Sequence, residues 1–501
     1  MRQHMPNAHE LKVVTNANDQ PVLVSAYVEH CQRLTPSGSD AIGMRISATH
    51  VRQIPPGRFG RNLVPLVHRL SRIGITAPEL SQQLEADYPH IDILSICAAE
   101  VKRRYRKTEV TILSLNKEPG FETLCMHFAE NRERYEGAVA PPLFQNSTFA
   151  YPDAESFDAR NGPAAERFDY TRVANPTTDI LERKIAALEK AEAARAFGSG
   201  MAAISAAILS CVKAGDHIVT IETVYGPTRR LLTDYLPKFG IETTFVRGTE
   251  IEHFEQALKP STKLIFLESP SSLWFELQDL EEVAKLAKSR GIATLCDNSN
   301  ATPFFQNPLV HGIDLVVHTA TKYIGGHSDL VAGLVAGPRQ RVEMLARAEG
   351  ELLGGIVDPF ASWLMLRGLR TLAIRMERHQ RNATHLARLL ETDPRILRVQ
   401  YDGLESHPQA TLANRQMRGH AGMMSIELRN SSREAAFAVV NALRYFCIAV
   451  SWGGYESLAI PLESPDPATG KPTWLIRLSI GLESLEDLKA DLYQALTAAG
   501  I

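Results

Sequence analysis

The chain has 501 residues, too many for one typical domain, and its 54 Lys+Arg against 57 Asp+Glu leave a net charge of −3. That near-neutral balance offers no bulk attraction to nucleic acid or a membrane surface, and no stretch approaches the roughly 18 consecutive apolar residues of a membrane span. Six cysteines (Cys31, Cys97, Cys125, Cys211, Cys296, Cys447) form no CxxC pair and no metal-like spacing, so they read as reduced, mostly buried thiols, with no metal site. The opening MRQHMPNAHELKVV lacks the apolar core and cleavage site of an export signal, so a cytoplasmic location is expected.

Residues 1–115 read as an N-terminal appendage, mainly helical. Apolar positions at helical spacing predict a helix over 62–73, and Thr76-Ala-Pro-Glu79 is a capping box that opens a second over 79–86. A third, over 91–106, runs into the basic string Lys102-Arg-Arg-Tyr-Arg-Lys107. Over 1–110 there are 14 Lys+Arg against 10 Asp+Glu. Three short helices with a basic end suit solvent, where cations favour a helix C-terminus, or a helix-turn-helix contact with phosphates. Any contact with nucleic acid is therefore confined to residues 1–115.

Residues 116–180 read as an extended arm, rich in proline and polar residues over 137–149. Within it Tyr170 and Arg172, two apart in an extended stretch, point the same way, and a phenol with a guanidinium fork suits a phosphate oxygen. A helix is expected over 178–192. Gly198, Ser199, Gly200 and Met201 then open another over 201–212, where glycines and the helix dipole favour an anion. From there strands (217–221, 242–246, 263–267, 292–296) alternate with helices (228–239, 251–258, 279–290). That rhythm predicts a mostly parallel, doubly wound α/β sheet over 181–350, with functional side chains on the loops that follow strands.

Tyr225 follows the first of those strands, Glu268-Ser-Pro-Ser-Ser-Leu273 the third, and Asp297 the fourth. Glu268 reads as charge tuning or as loop structure. Lys322 sits among hydroxyls and glycines in Thr319-Ala-Thr-Lys-Tyr-Ile-Gly-Gly326, a setting for a lysine held for a task; such a lysine can form a Schiff base, and an acid facing a pyridine nitrogen makes that ring an electron sink. The doubly wound part is expected to end after Gly333. A long helix over 358–390, continuous or broken, leads into a smaller α+β domain, 351–501, with strands over 396–400, 423–428, 448–451 and 474–479 and helices over 433–443 and 485–496. Arg477 stands in the last strand, where a lone charge needs a partner.

Three strings carry a resemblance: VVHTATKYIGGHSDLVAG over 316–333, Tyr225-Gly-Pro-Thr228 and Ser451-Trp-Gly-Gly-Tyr-Glu-Ser-Leu458. They resemble the pyridoxal-phosphate enzymes of cysteine and methionine metabolism, the family of cystathionine γ-synthase, cystathionine β- and γ-lyases and methionine γ-lyase. The resemblance runs from about Phe121 to the C-terminus. It implies a fold-type I, aminotransferase-like large domain with pyridoxal 5'-phosphate as cofactor. Lys322 would carry the cofactor and act as base, Asp297 would face its ring nitrogen, and Tyr225 would stack on the ring and relay a proton. Gly198, Ser199, Gly200, Met201, Thr319 and Thr321 would hold its phosphate, with Tyr170 and Arg172 given to the partner subunit's site. Ser451, Trp452 and Arg477 would hold the amino-acid substrate, Arg477 taking its carboxylate. The resemblance also implies a homo-oligomer, an active dimer paired into a tetramer.

Ser271-Ser272-Leu273 and Trp452 look more like the β-lyase branch than the γ branch. The expected activity is therefore β-elimination of cystathionine or a similar thioether to a thiol, pyruvate and ammonia. Two alternatives stay open: γ-synthase or γ-lyase activity, and a pyridoxal-phosphate-sensing regulator with an N-terminal DNA-binding module.

Overall fold

The computed structural model describes residues 119–161 and 168–501, together with the backbone of three strands nearer the N-terminus. The chain divides into two units, Met1–Ser114 and Leu115–Ile501. In the first, β1 (Glu10–Val13), β2 (Val22–Arg33) and β3 (Ile42–Gln53) make an antiparallel sheet in that order. The helices expected over 62–73, 79–86 and 91–106 lie outside the described residues, so what is described of this appendage is sheet.

The second unit is built on a seven-stranded sheet. Helix α1 (Phe121–His127) precedes α2 (Pro176–Glu189), which starts where the Asn175 side chain accepts from the Thr177 amide, with proline at the first helical position. Strand β4 (Ala193–Phe197) leads into α3 (Gly200–Leu209), capped by Ser199. Then come β5 (His217–Ile221), α4 (Gly226–Arg230), β6 (Glu242–Val246), α5 (Ile251–Ala257), β7 (Thr262–Glu268), α6 (Leu280–Ser289) and β8 (Ala293–Asp297). The helix expected over 228–239 is wound in three pieces, α4, then the wider turn Leu231–Tyr235, then Leu236–Phe239, with Pro237 breaking its regular hydrogen bonding.

Strands β9 (Leu315–His318) and β10 (Gly333–Gly337) complete the sheet, in the order β4-β10-β9-β8-β7-β5-β6. Strands β5 to β9 are mutually parallel, and β10 runs antiparallel to both β9 and β4. The sheet thus continues past Gly333 instead of ending there. Nothing but buried small and branched residues (GLVAG) marks β10, because its neighbours pack on both faces. The central strands are almost wholly buried; Leu264, Ile265, Phe266 and Leu267 have no exposed surface, each such side chain worth about 1.5–3 kcal/mol.

Helix α7 (Arg339–Leu345) follows β10, and the long helix expected over 358–390 is indeed broken, into α8 (Pro359–Leu369) and α9 (Leu372–Glu391). The smaller sheet, β11 (Ile396–Gln400), β12 (Met423–Leu428), β13 (Leu458–Pro465) and β14 (Pro472–Ser479), is antiparallel in the order β11-β12-β14-β13 and is backed by α11 (Arg433–Ala442) and α12 (Leu485–Ala498), with α10 (Ala410–Gln416) between β11 and β12. The stretch 448–451, expected as a strand, is not one. Ile448 and Val450 are exposed and Ser451 takes a left-handed φ of 84°, which no ladder accommodates. Tyr170 to Val173 is likewise a turn, closed by the Val173 and Ala174 amides on the Tyr170 carbonyl, not an extended stretch.

A strap over 269–278 joins the two sheets. The Trp274 indole donates to Ser464 Oγ at 3.0 Å and lies 5.4 Å from the Arg398 guanidinium, while the Gln409 side chain bonds both the amide and the carbonyl of Leu277. Among the described residues no helix is long and apolar enough to cross a membrane.

Candidate active site

Parallel strands align their carboxyl ends, and the loops leaving them converge on one edge of the sheet. Tyr225, Glu268, Ser271, Ser272, Asp297, Ser299, Thr319 and Lys322 come from that edge to line one pocket, and Met423, Trp452 and Arg477 close it from the smaller sheet.

Asp297 is 6% exposed. Its Oδ1 accepts from the Ser299 amide at 2.9 Å and from Ser299 Oγ at 2.5 Å. Burial raises its pKa, and the Ser299 hydrogen bonds, with His318 and Lys322, work against that rise. Ser299 also accepts from the Thr319 amide at 2.6 Å, tying the acid to the lysine loop. The motif Asp297-Asn-Ser299 carried this signal in sequence, since an Asp side chain often accepts from the amide two residues on.

Lys322 Nζ donates to Ser451 Oγ at 2.7 Å and lies 5.1 Å from the Trp452 ring. Burial, reinforced by Arg477 and opposed by Asp297, lowers its pKa to about 8. Arg477 donates from Nη2 to the Ser451 carbonyl at 2.9 Å, and its buried Nε has no hydrogen-bond partner. Ser271 Oγ and Asn300 Oδ1 are also buried without one. Tyr225 is 39% exposed, and its phenol is pushed up by burial, with the neighbouring acids Glu268 and Asp297 adding to the rise.

Other expected residues sit at the margin. Ser199 Oγ caps α3 by accepting from the Ala202 amide at 3.0 Å. The Gly198 amide donates to the Gly355 carbonyl, whereas those of Gly200 and Met201 lie in the first turn, where a helix offers no carbonyl of its own. A Cβ on Gly200 would run into the Thr319 side chain, so the glycine brings that turn against the lysine loop. Thr321 Oγ1 is engaged with both the carbonyl and the amide of Ala332. Tyr170 and Arg172 lie together at the surface, 5.6 Å apart, with Arg172 donating to the Glu351 carbonyl at 3.0 Å; neither lines the pocket of its own chain.

Compared with known proteins, residues 122–497 match the description "Cys/Met metabolism PLP-dependent enzyme". The chain belongs to that family. Its cofactor is accordingly pyridoxal 5'-phosphate. L-methionine gamma-lyase of Fusobacterium nucleatum is 39% identical over 395 residues, 76% of this chain and 98% of that protein. Cystathionine gamma-lyase of Bacillus subtilis is 38% identical over 75% of this chain and 98% of that protein. The chloroplastic cystathionine beta-lyase of Mimosa pudica is also 38% identical, over 76% of this chain and 83% of that protein. Among solved structures, metB from Corynebacterium glutamicum superposes with a TM-score of 0.70 at 38% identity, covering 76% of this chain and 98% of that one.

The site fits the family's cofactor and an amino acid. A buried acid, a lysine amine of lowered basicity and a glycine turn at a helix start match a protonatable ring nitrogen, an aldehyde and a phosphate. The orphaned Nε of Arg477 is the kind of buried donor that a substrate carboxylate satisfies. Sequence reasoning had not singled out Ser299, Met423 or Asn300. Met423 and Asn300 carry no motif; only the approach of strand β12 and of the loop after β8 brings them to the pocket.

Proposed function

We propose that this enzyme is a carbon–sulfur β-lyase that cleaves cystathionine, or a related cysteine thioether, to a thiol, pyruvate and ammonia. The observation that carries this reading is the seat of Trp452. Its indole lies 5.4 Å from the Tyr323 ring and 5.1 Å from Lys322 Nζ, so it narrows the space beside the lysine. β-Elimination asks that amine for one proton, from Cα, whereas γ-elimination needs a second removal at Cβ and room for the base to travel.

When bound, pyridoxal phosphate withdraws electrons from Cα. Lys322 would hold it until the substrate amine takes its place, and the freed amine would then take the Cα proton, with Ser451 Oγ and the indole fixing it. Asp297, kept in place by Ser299, would face the ring nitrogen, and Tyr225 would cover the ring face. Gly198, Ser199, Gly200 and Met201 would hold the phosphate chiefly through the Gly200 and Met201 amides, with Thr319 beside them and Thr321 pinning the lysine loop. Arg477 takes the substrate carboxylate and so sets the Cα–H bond. As that proton passes to Lys322, the Cβ–S pair leaves with the thiolate, and the released enamine hydrolyses to pyruvate and ammonia.

The surface seat of Tyr170 and Arg172, outside their own pocket, supports a dimer in which each copy lends this pair to the other's site. The dimer is read as half of a tetramer in the cytoplasm.

A second reading, γ-elimination, is favoured by the names of two of the relatives above. Incubation with cystathionine separates the two: pyruvate is expected as the dominant keto acid, and 2-oxobutyrate in its place would reject the β assignment. A further expectation concerns pH. A lysine amine with a pKa of about 8 is mostly protonated below that value, so loading of cofactor-free protein with pyridoxal phosphate should accelerate about tenfold per unit up to pH 8 and level off above it. Stopped-flow absorbance would read this, and a rate flat between pH 6 and 8 would contradict the lowered basicity.

A further inference from the structure

Glu268 is the buried acid that the mechanism above leaves unused. It is the last residue of β7, and in the parallel ladder it stands directly opposite Asp297 on β8. In-register partners on neighbouring strands point to the same face, about 4.8 Å apart at the backbone, so two carboxyl groups enter one water-poor pocket side by side. Glu268 is 8% exposed and Asp297 6%.

Two like charges so placed do not both persist, and one carboxyl of the pair takes a proton. The nearby cations decide which. Asp297 is served twice by Ser299 and faces the positive side of the pocket, with Lys322 and His318 nearby. Glu268 accepts the Tyr225 amide on Oε2 at 2.8 Å, and Ser272 bonds it through its amide and through Oγ, which reaches Oε1; a hydroxyl there can also accept from a protonated carboxyl. Among the described residues no cation touches it; the charged and titratable groups around it are Asp297 and Cys296 on β8 and Tyr225 at the start of α4, with Lys322 and Arg477 lining the same pocket.

We propose that Glu268 is a positioning residue that works as a neutral acid: it braces the Tyr225 amide against Ser272 of the strap and leaves the negative charge of the acid pair on Asp297. This rests on the role given above to Asp297. Burial first, and the Asp297 charge second, push the Glu268 pKa up to about 8, against the pull of its hydrogen bonds from Ser272 and Tyr225. The brace matters because Tyr225 and Ser272 both line the pocket, and Glu268 bonds both.

Infrared difference spectroscopy of the holoenzyme, wild type minus Glu268→Gln, tests the protonation state without reference to substrate. A protonated-carboxyl C=O band is expected at pH 7, fading as pH rises through about 8. A carboxylate band in its place at pH 7 would overturn the proposal. The brace is tested by a pair of variants. Glu268→Ala is expected to lower kcat about 100-fold with little change in KM, and Glu268→Gln, which keeps an acceptor for Tyr225 and a donor for Ser272, to recover at least about tenfold of that loss. Glutamine and alanine variants equally impaired would refute the neutral brace. Should Glu268→Gln not fold, Ser272→Ala carries the same infrared test: the band should shift in frequency and keep its intensity, and an unmoved band would refute the contact. Because the spectra are read without turnover, their failure is distinguishable from a wrong assignment of the lyase reaction.

Discussion

Replacing Lys322 by alanine is expected to remove the visible absorbance of the lysine-bound cofactor and to lower turnover at least about 10⁴-fold. The effect is this large because, in the proposed mechanism, one amine is asked to do two things, to hold the cofactor and to move the Cα proton. No described neighbour can take over. Ser451 Oγ, which accepts from Lys322 Nζ at 2.7 Å, is a far weaker base, and the phenol of Tyr225 is pushed further from ionisation by burial. Absorbance and single-turnover rates on the same preparation would check this. Full-strength absorbance in Lys322→Ala would show that another amine holds the cofactor, and the assignment of the loop 319–326 would fall with it.

Asp297→Asn is the second large expected effect, with a different signature. The amide keeps the acceptor for Ser299 but cannot hold a proton on the ring nitrogen, so turnover should fall by about 10²–10³-fold while cofactor stays attached to Lys322. The sign of an accompanying shift follows from the charges. Asp297 raises the Lys322 pKa, so its loss should move the pH at which cofactor loading levels off to below about 8. A loading profile unchanged in the asparagine variant would mean that the acid and the amine do not sense one another.

The parts of this molecule that were legible in the sequence are those where one short stretch contains its own reason. The buried runs of β5 to β8, separated by helices, imply a parallel sheet, and the acid that closes β8 falls at the ligand-binding edge because side chains at strand ends must. Lys322 was conspicuous for lack of any packing role. What escaped was set by distant partners. Strand β10 is five small and branched residues whose identity as a strand depends on β9 and β4 lying either side. Glu268 gains its meaning only from the register that sets it opposite Asp297. The strand expected over 448–451 has the right residues, but the left-handed φ of Ser451 turns the chain toward Lys322 instead. In the N-terminal unit a signal was present and unused: Ile42, Met44, Ile46 and Ala48 alternate along β3.

The strap over 269–278 gives the pocket a long lever. Ser271, Ser272, Leu273 and Phe275 form its wall, yet their position is fixed by Trp274 on Ser464, by Gln409 on Leu277 and by Gln416 on Ser269, all partners in the C-terminal portion of the chain. Substrate preference is thereby heritable through residues that never touch a substrate. Grafting β13 together with Gln409 and α10 from one relative to another, with Arg477 left in place, would retune which substrates are accepted, whereas swapping wall residues alone would leave the new side chains on the old scaffold's footing.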